Sequence, residues 1–116
     1  MEARAESRYN RQSPRKMRLV IDQIRGRPVE EAYAILEFST KKAAEIIGKT
    51  LRSAVANSRA KADNAGSPVD VDELVVKEAY VNEGPRLKRW RAAAMGRAAP
   101  LRRPTAHVVV VVDRKE

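Results

Sequence analysis

The chain has 116 residues, the size of one domain, with 24 Lys and Arg against 15 Asp and Glu, a formal charge of +9 and a pI of about 10.4. It contains no cysteine, which excludes disulfides and thiolate metal sites, and aromatic residues are only 4% of it, so its core must be built from Val, Ile, Leu and Ala. That excess of positive charge calls for a polyanionic partner, either nucleic acid or an anionic membrane surface.

Residues 2–9 alternate, with Ala3, Ala5, Ser7 and Tyr9 on one side and Glu2, Arg4, Glu6 and Arg8 on the other, the period of a half-exposed edge strand. Ser13 and Pro14 mark a helix start, Ser13 as the cap and Pro14 at the first helical position. Met17, Val20, Ile21 and Ile24 then recur at helical spacing, and Gly26 ends the helix. Arg11, Arg15, Lys16, Arg18 and Arg25 surround that stripe. Pro28 opens a second helix with Val29, Ala32, Tyr33 and Leu36 on one face, and Glu30 and Glu31 suit its first turn. Thr40 is read as the cap of a third helix running to about Lys61, whose buried face holds Ala44, Ile47, Leu51, Ala54, Val55 and Ser58. Asn57, near that face, reads as a capping or bridging amide.

Residues 63–68 (DNAGSP) are a loop by composition. Residues 71–81 are rich in Val and predict a strand, with imperfect alternation that implies a bulge or two covered faces. Residues 105–112, with five consecutive valines, predict a central strand covered on both faces. That run is also the longest aliphatic stretch and is far too short to span a bilayer. The first 27 residues are rich in Arg and lack the apolar block of a signal peptide, so a soluble intracellular protein is expected.

The charge is unevenly placed. Residues 1–27 hold eight basic and three acidic side chains, residues 28–83 seven basic and ten acidic, and residues 84–112 seven basic and none acidic. The last region contains the 21-residue connection GPRLKRWRAAAMGRAAPLRRP, far longer than an ordinary hairpin loop. It reads either as a loose basic loop or as a protruding two-stranded arm of about ten residues each way, reaching roughly 30 Å. An isolated hairpin is marginal in water, so such an arm keeps its shape by packing into a partner. Arg86, Lys88, Arg89, Arg91, Arg97, Arg102 and Arg103 would pair with phosphates along it. Trp90, the only Trp, lies between Arg89 and Arg91, where it is poor core material and a good stacking surface.

Nothing in the chain assembles an active site. His107 is the only histidine and reads as a strand residue facing polar surface. Asp70, Asp72 and Glu73 match no calcium loop, and no Gly-rich phosphate loop is present. The chain is therefore read as a non-enzymatic binding domain without cofactor or metal. A DNA-architectural protein that grips a duplex with basic β-arms is the alternative from another class. A membrane-surface role ranks below it, because the arm lacks the periodicity of an amphipathic helix.

Several blocks, in their order and spacing, carry a resemblance: SPRKMRLV at 13–20, IRG at 24–26, EGPRLKR at 83–89, GRA at 96–98 and TAHVVVVV at 105–112. From about Ala3 to Asp113 the chain resembles the family of bacterial large-subunit ribosomal protein twenty-two. The resemblance implies an α+β fold, three helices packed on a small antiparallel sheet with a long protruding β-hairpin. It divides the chain into a globular RNA-binding body, residues 1–83 and 105–116, and an extended basic hairpin arm, residues 84–104. It also implies a structural constituent of the large ribosomal subunit that binds large-subunit, 23S-type rRNA, supports early assembly and reaches the wall of the nascent-peptide exit tunnel.

Together with the charge pattern, the resemblance implies rRNA-binding positions at Arg11, Ser13, Arg15, Lys16, Arg18, Arg25, Arg86, Lys88, Arg89, Arg91, Arg97, Arg102, Arg103, Thr105 and His107. The tunnel-wall tip would comprise Leu87, Lys88, Arg89, Trp90, Arg91, Ala92, Ala93, Ala94, Met95, Gly96 and Arg97. Leu87, Lys88 and Arg89 match a segment whose changes accompany macrolide resistance in the family. The implied partners are the rRNA, neighbouring large-subunit proteins and the nascent peptide near the tip, with no membrane and no stable homo-oligomer. The implied location is the cytoplasmic ribosome, or that of an organelle of bacterial descent. Where the family commonly has Pro-Arg-Ala-Arg-Gly-Arg-Ala before the returning strand, this chain has AAAMGRA at 92–98, and Pro104 replaces a usual basic residue. Tip contacts are therefore not carried over to Ala93 or Met95.

Overall fold

Alternation makes residues near the N-terminus a strand, β1 (Ala3–Asn10), with Ala3 and Ala5 buried and Arg4 and Arg8 exposed. The computed structural model of the protein describes residues 2–92, 94–96 and 98–115. After β1 come α1 (Pro14–Ile21), α2 (Val29–Glu37), α3 (Lys42–Asn64), a short turn of 3-10 helix (Val71–Glu73) and β2 (Leu74–Glu83). Next are β3 (Leu87–Ala92) and β4 (Ala98–Arg103), joined by a turn at Ala94–Gly96, and finally β5 (Ala106–Arg114). Among the described residues the class is α+β: three helices on a three-stranded antiparallel sheet of order β1-β5-β2, with β3 and β4 paired as a separate antiparallel hairpin. No helix among them is long and apolar enough to cross a membrane.

The valine run takes the centre of the sheet, as its apolarity demands. Val108, Val110 and Val112 face the helices and share a core with Met17, Ile21, Ile24, Ile47, Leu51, Leu74 and Val76. Val109 and Val111 point to the other face, yet they too are buried. Among the described residues no second layer covers them. Val109 lies between Glu6 and Tyr80, and Val111 between Arg4 and Glu78, so long side chains of β1 and β2 shield them. Glu6 is held there by Arg4 at 3.5 Å and Arg8 at 3.2 Å.

Element ends differ from the sequence expectations in instructive ways. Ser13 precedes α1 in extended conformation, but its side chain makes no capping bond and only its carbonyl accepts, from Met17 N–H at 3.1 Å. The helix stops at Ile21 rather than at Gly26, because the following turn docks on β2: Gly26 N–H donates to Val76 O and Val76 N–H to Arg27 O, both at 2.9 Å. Lys41, not Thr40, is the cap position of α3, and its N–H donates to Ser39 Oγ at 3.2 Å. That helix also runs past Lys61 to Asn64. The strand expected from Val71 begins at Leu74, after the 3-10 turn, and the suspected bulge is present, a register shift between Val76 and Glu78.

The long connection pairs as a two-stranded arm, but not as a continuation of the sheet. β3 and β4 match over six residues each, from Leu87 opposite Arg103 to Ala92 opposite Ala98, a ladder of roughly 20 Å instead of 30 Å. Gly84–Arg86 on one side and Pro104–Thr105 on the other interrupt the ladder, because proline has no N–H to donate. The molecule is correspondingly elongated, with extents of 67 × 27 × 18 Å.

Candidate nucleic-acid interface

The chain's cations divide by what they already hold. Several are committed to the fold: Arg27 to Glu31 at 2.7 Å, Lys49 to Glu45 at 3.7 Å, Lys77 to Glu2 at 3.3 Å. By contrast, Arg11, Arg15, Lys16, Lys41, Lys42, Arg52, Arg59, Arg86 and Arg103 are exposed and make no ion pair among the described residues. A cation without a carboxylate partner meets a phosphate without first breaking a bond.

Most of these free cations gather at the root of the arm. A cleft of about 810 Å³ is lined by Arg11, Gln12, Ser13, Lys16, Lys42, Arg103 and Pro104. A second, of about 290 Å³, is lined by Ser13, Pro14, Arg15, Arg18, Glu83, Arg86 and Pro104. Ser13 and Pro104 border both. The basic block at 11–18 and the two feet of the arm, about seventy and ninety residues further along the chain, therefore form one positive surface. Lys42, at the start of α3, belongs to this surface and is missing from the sequence-derived set. The adjacent lysines 41 and 42 were the available signal, but only the packing of α3 shows where they point.

Arg18 and Arg25 stand differently. Arg18 donates to Val81 O from Nε (3.2 Å) and Nη2 (2.9 Å), and Arg25 to Ala79 O from Nε (2.9 Å) and Nη2 (2.6 Å). Arg25 also pairs with Asp22 at 2.9 Å. Both guanidinium groups close the outer edge of β2. Thr105 is buried, and its hydroxyl donates to Pro85 O. His107 is half-buried, its Nδ1 accepting from Tyr9 N–H at 3.0 Å and its ring edge-on to the Tyr9 ring at 4.9 Å. Thr105 and His107 thus secure the arm's root, where Gly84 N–H also donates to Thr105 O at 2.9 Å.

Along the arm, Lys88, Trp90, Ala92, Met95 and Gly96 are exposed, Trp90 by 70% and Met95 by 96%. Met95 sits in the left-handed region with φ 63°. The side chains of Leu87, Arg89, Arg91, Ala94 and Arg102, and the whole of Ala93 and Arg97, lie outside the described residues. Away from the arm, Glu30 on α2 is hydrogen-bonded to Asp72, and that bond with the Asp72 charge raises the Glu30 pKa. No group of three or more His, Cys, Asp or Glu among the described residues is placed to hold a metal.

Comparison with known proteins now decides the family. The model of the ribosomal protein L22p/L17e family matches residues 5–113. The chain belongs to that family. Among its relatives, the large ribosomal subunit protein uL22 of Bifidobacterium longum (strain DJO10A) is 51% identical over 116 residues, all of this chain and 98% of the relative. That of Geobacter metallireducens is 49% identical over 115 residues, 99% of this chain and all of the relative. That of Desulfitobacterium hafniense is 52% identical over 116 residues, 99% and 97% of the two chains. As a member of the L22p/L17e family the chain is a ribosomal protein, a structural component of the ribosome and not an enzyme.

Proposed function

We propose that this L22p/L17e protein is a constituent of the large ribosomal subunit that binds 23S-type rRNA, supports early assembly and extends its β3–β4 arm toward the wall of the nascent-peptide exit tunnel. One observation carries the RNA-binding part: unpaired cations from 11–16 and from both feet of the arm line adjoining clefts. A surface of that kind takes phosphates from two directions and ties separate RNA segments together. The body, residues 1–83 and 105–116, anchors the contact, and the arm, residues 84–104, threads between RNA helices. Trp90, exposed beside arginine positions, offers a stacking face for a base. The end of the arm, at Ala92 and Ala94–Gly96, would meet the nascent peptide, whereas Leu87, opposite Arg103, stands at the arm's foot; neighbouring large-subunit proteins complete the surroundings of the body. The chain acts as a single copy in this reading.

The test is affinity for protein-free large-subunit rRNA as a function of salt. Each phosphate contact adds roughly −0.7 to −0.9 to the log–log slope, so several contacts give a steep one. Removing residues 86–103 should leave a folded body with a shallower slope and much weaker binding. A flat slope for the intact chain, or equal affinity for duplex DNA of the same length, overturns the proposal.

A further inference from the structure

A further groove, of about 920 Å³, lies between α2 and α3. Tyr33, Leu36 and Ala44 form its apolar floor. Lys41, Lys42 and Arg52 on its walls are among the cations that make no ion pair in the described residues. Two carboxylates also line it, and Glu45 is neutralised by Lys49 at 3.7 Å, leaving Glu37 against three free cations. The charges of Arg52 and Arg59 both act on the Tyr33 phenol, so Arg59, which does not itself line the groove, stands near it. Beside it stands Phe38, 84% exposed, in the turn that leads to the groove's Ser39 and Lys41. Its backbone is fixed at the C-cap of α2, with N–H donating to Ala34 O at 3.1 Å, so the ring is held out in water from an anchored base.

We infer that the α2–α3 groove is a second RNA-binding site, in which Lys41, Arg52 and Arg59 hold phosphates and Phe38 stacks on an unpaired base. The inference rests on the RNA-binding reading above and extends it to a new face. Two features select RNA as the occupant. Lys42 lines both this groove and the arm-root cleft, so the positive surface is continuous between them. And Phe38, an exposed ring three residues before Lys41, sets a stacking face next to a cation, the pairing that suits an unpaired base.

The experiment compares three full-length variants with the parent for binding to protein-free large-subunit rRNA across a salt series. The triple variant Lys41→Gln, Arg52→Gln, Arg59→Gln changes only exposed side chains and should make the slope shallower by about two to three contacts. Phe38→Ala should weaken binding by about fivefold or more at unchanged slope, as loss of a stacked base does. The double variant Arg11→Gln, Arg103→Gln tests the arm root in parallel. If that control loses affinity while the groove variants bind like the parent, the groove inference fails and the RNA-binding reading stands. If none of the three changes binding, both fail. A photo-crosslinker at position 38 in assembled subunits should join a nucleotide, and a crosslink to protein alone overturns the assignment.

Discussion

Arg25 grips the carbonyl of Ala79 with two guanidinium nitrogens, Nε at 2.9 Å and Nη2 at 2.6 Å, and Arg18 does the same two residues along at Val81. Those oxygens belong to β2, one edge of the sheet. On the opposite edge, Asn57 donates to Arg4 O and Lys61 to Glu2 O, each at 3.1 Å. The helices thus do more than cover the valines. Their side chains also occupy hydrogen-bonding positions along both edges of a small sheet, where another chain would otherwise add a strand.

The arginine forks should contribute stability that has nothing to do with RNA. Arg25→Met keeps most of the aliphatic packing and removes both bonds, at a cost of about 1 kcal/mol for so exposed a site. Adding Arg18→Met should roughly double the loss, since each fork has its own carbonyl. Lys at position 25 should not restore it, because one ammonium cannot reproduce the planar two-point contact. Urea denaturation of the free protein measures this. A double variant with the parent's midpoint would show that the forks are ornamental.

These arginines also show how far the sequence reaches. An arginine that seeks phosphate and one that seeks a strand carbonyl look alike in a charge count, so the sequence groups Arg18 and Arg25 with Arg11 and Arg15. What separates them is a contact more than fifty residues away along the chain. The legible features are those whose cause is local. Ala3 and Ala5 alternate with charges and form an edge strand. Five valines demand the centre of a sheet. The faulty alternation around Lys77 is a bulge, and Asn57 is a bridging amide. The stop of α1 at Ile21 was not legible, because it is imposed by backbone bonds from Gly26 and Arg27 to Val76. Nor was Lys42, which joins the arm-root cleft only through the packing of α3.

Gly84 is the tightest point at the arm's root. A Cβ placed there would collide with the Thr105 hydroxyl and come within 3.2 Å of the His107 ring. That hydroxyl is already engaged with Pro85 O, and the His107 ring is pinned by Tyr9, so neither yields without losing a bond. Gly84→Ala should therefore destabilise the protein by about 1–3 kcal/mol, the usual cost of overpacking. Hydrogen exchange should locate the damage, with faster exchange at Gly84 and Tyr9 and little change in α3. Uniform loss of protection across the body would contradict a local origin.

Glu30 makes stability depend weakly on pH in a definite direction. Its bond to Asp72 and the Asp72 charge raise its pKa above the unfolded value near 4.5. As pH climbs past that value the unfolded chain releases the proton first, so folding loses stability until the folded carboxyl has titrated too. Glu30→Gln removes the like-charge contact and should raise the melting temperature slightly at pH 7. Below about pH 4, where the carboxyl is protonated in both states, the advantage should vanish. A difference that persists at pH 3 would assign the effect to something other than ionisation.

Met95 offers the clearest gain. It occupies the left-handed region with φ 63°, next to Gly96 at φ 71°, and its side chain is 96% exposed. A residue with a Cβ pays about 1 kcal/mol for that conformation, and this one recovers little through packing. Met95→Gly should relieve the strain and favour the turn between β3 and β4. Part of the gain is returned as extra backbone entropy in the open arm. The net effect should appear as stronger cross-strand signals between Arg91 and Ala99 in the free protein, with the melting of the body unchanged, since the arm's ladder is separate from the body's sheet. Weaker pairing in the glycine variant would mean that the methionine, exposed as it is, holds the turn by some contact of its own.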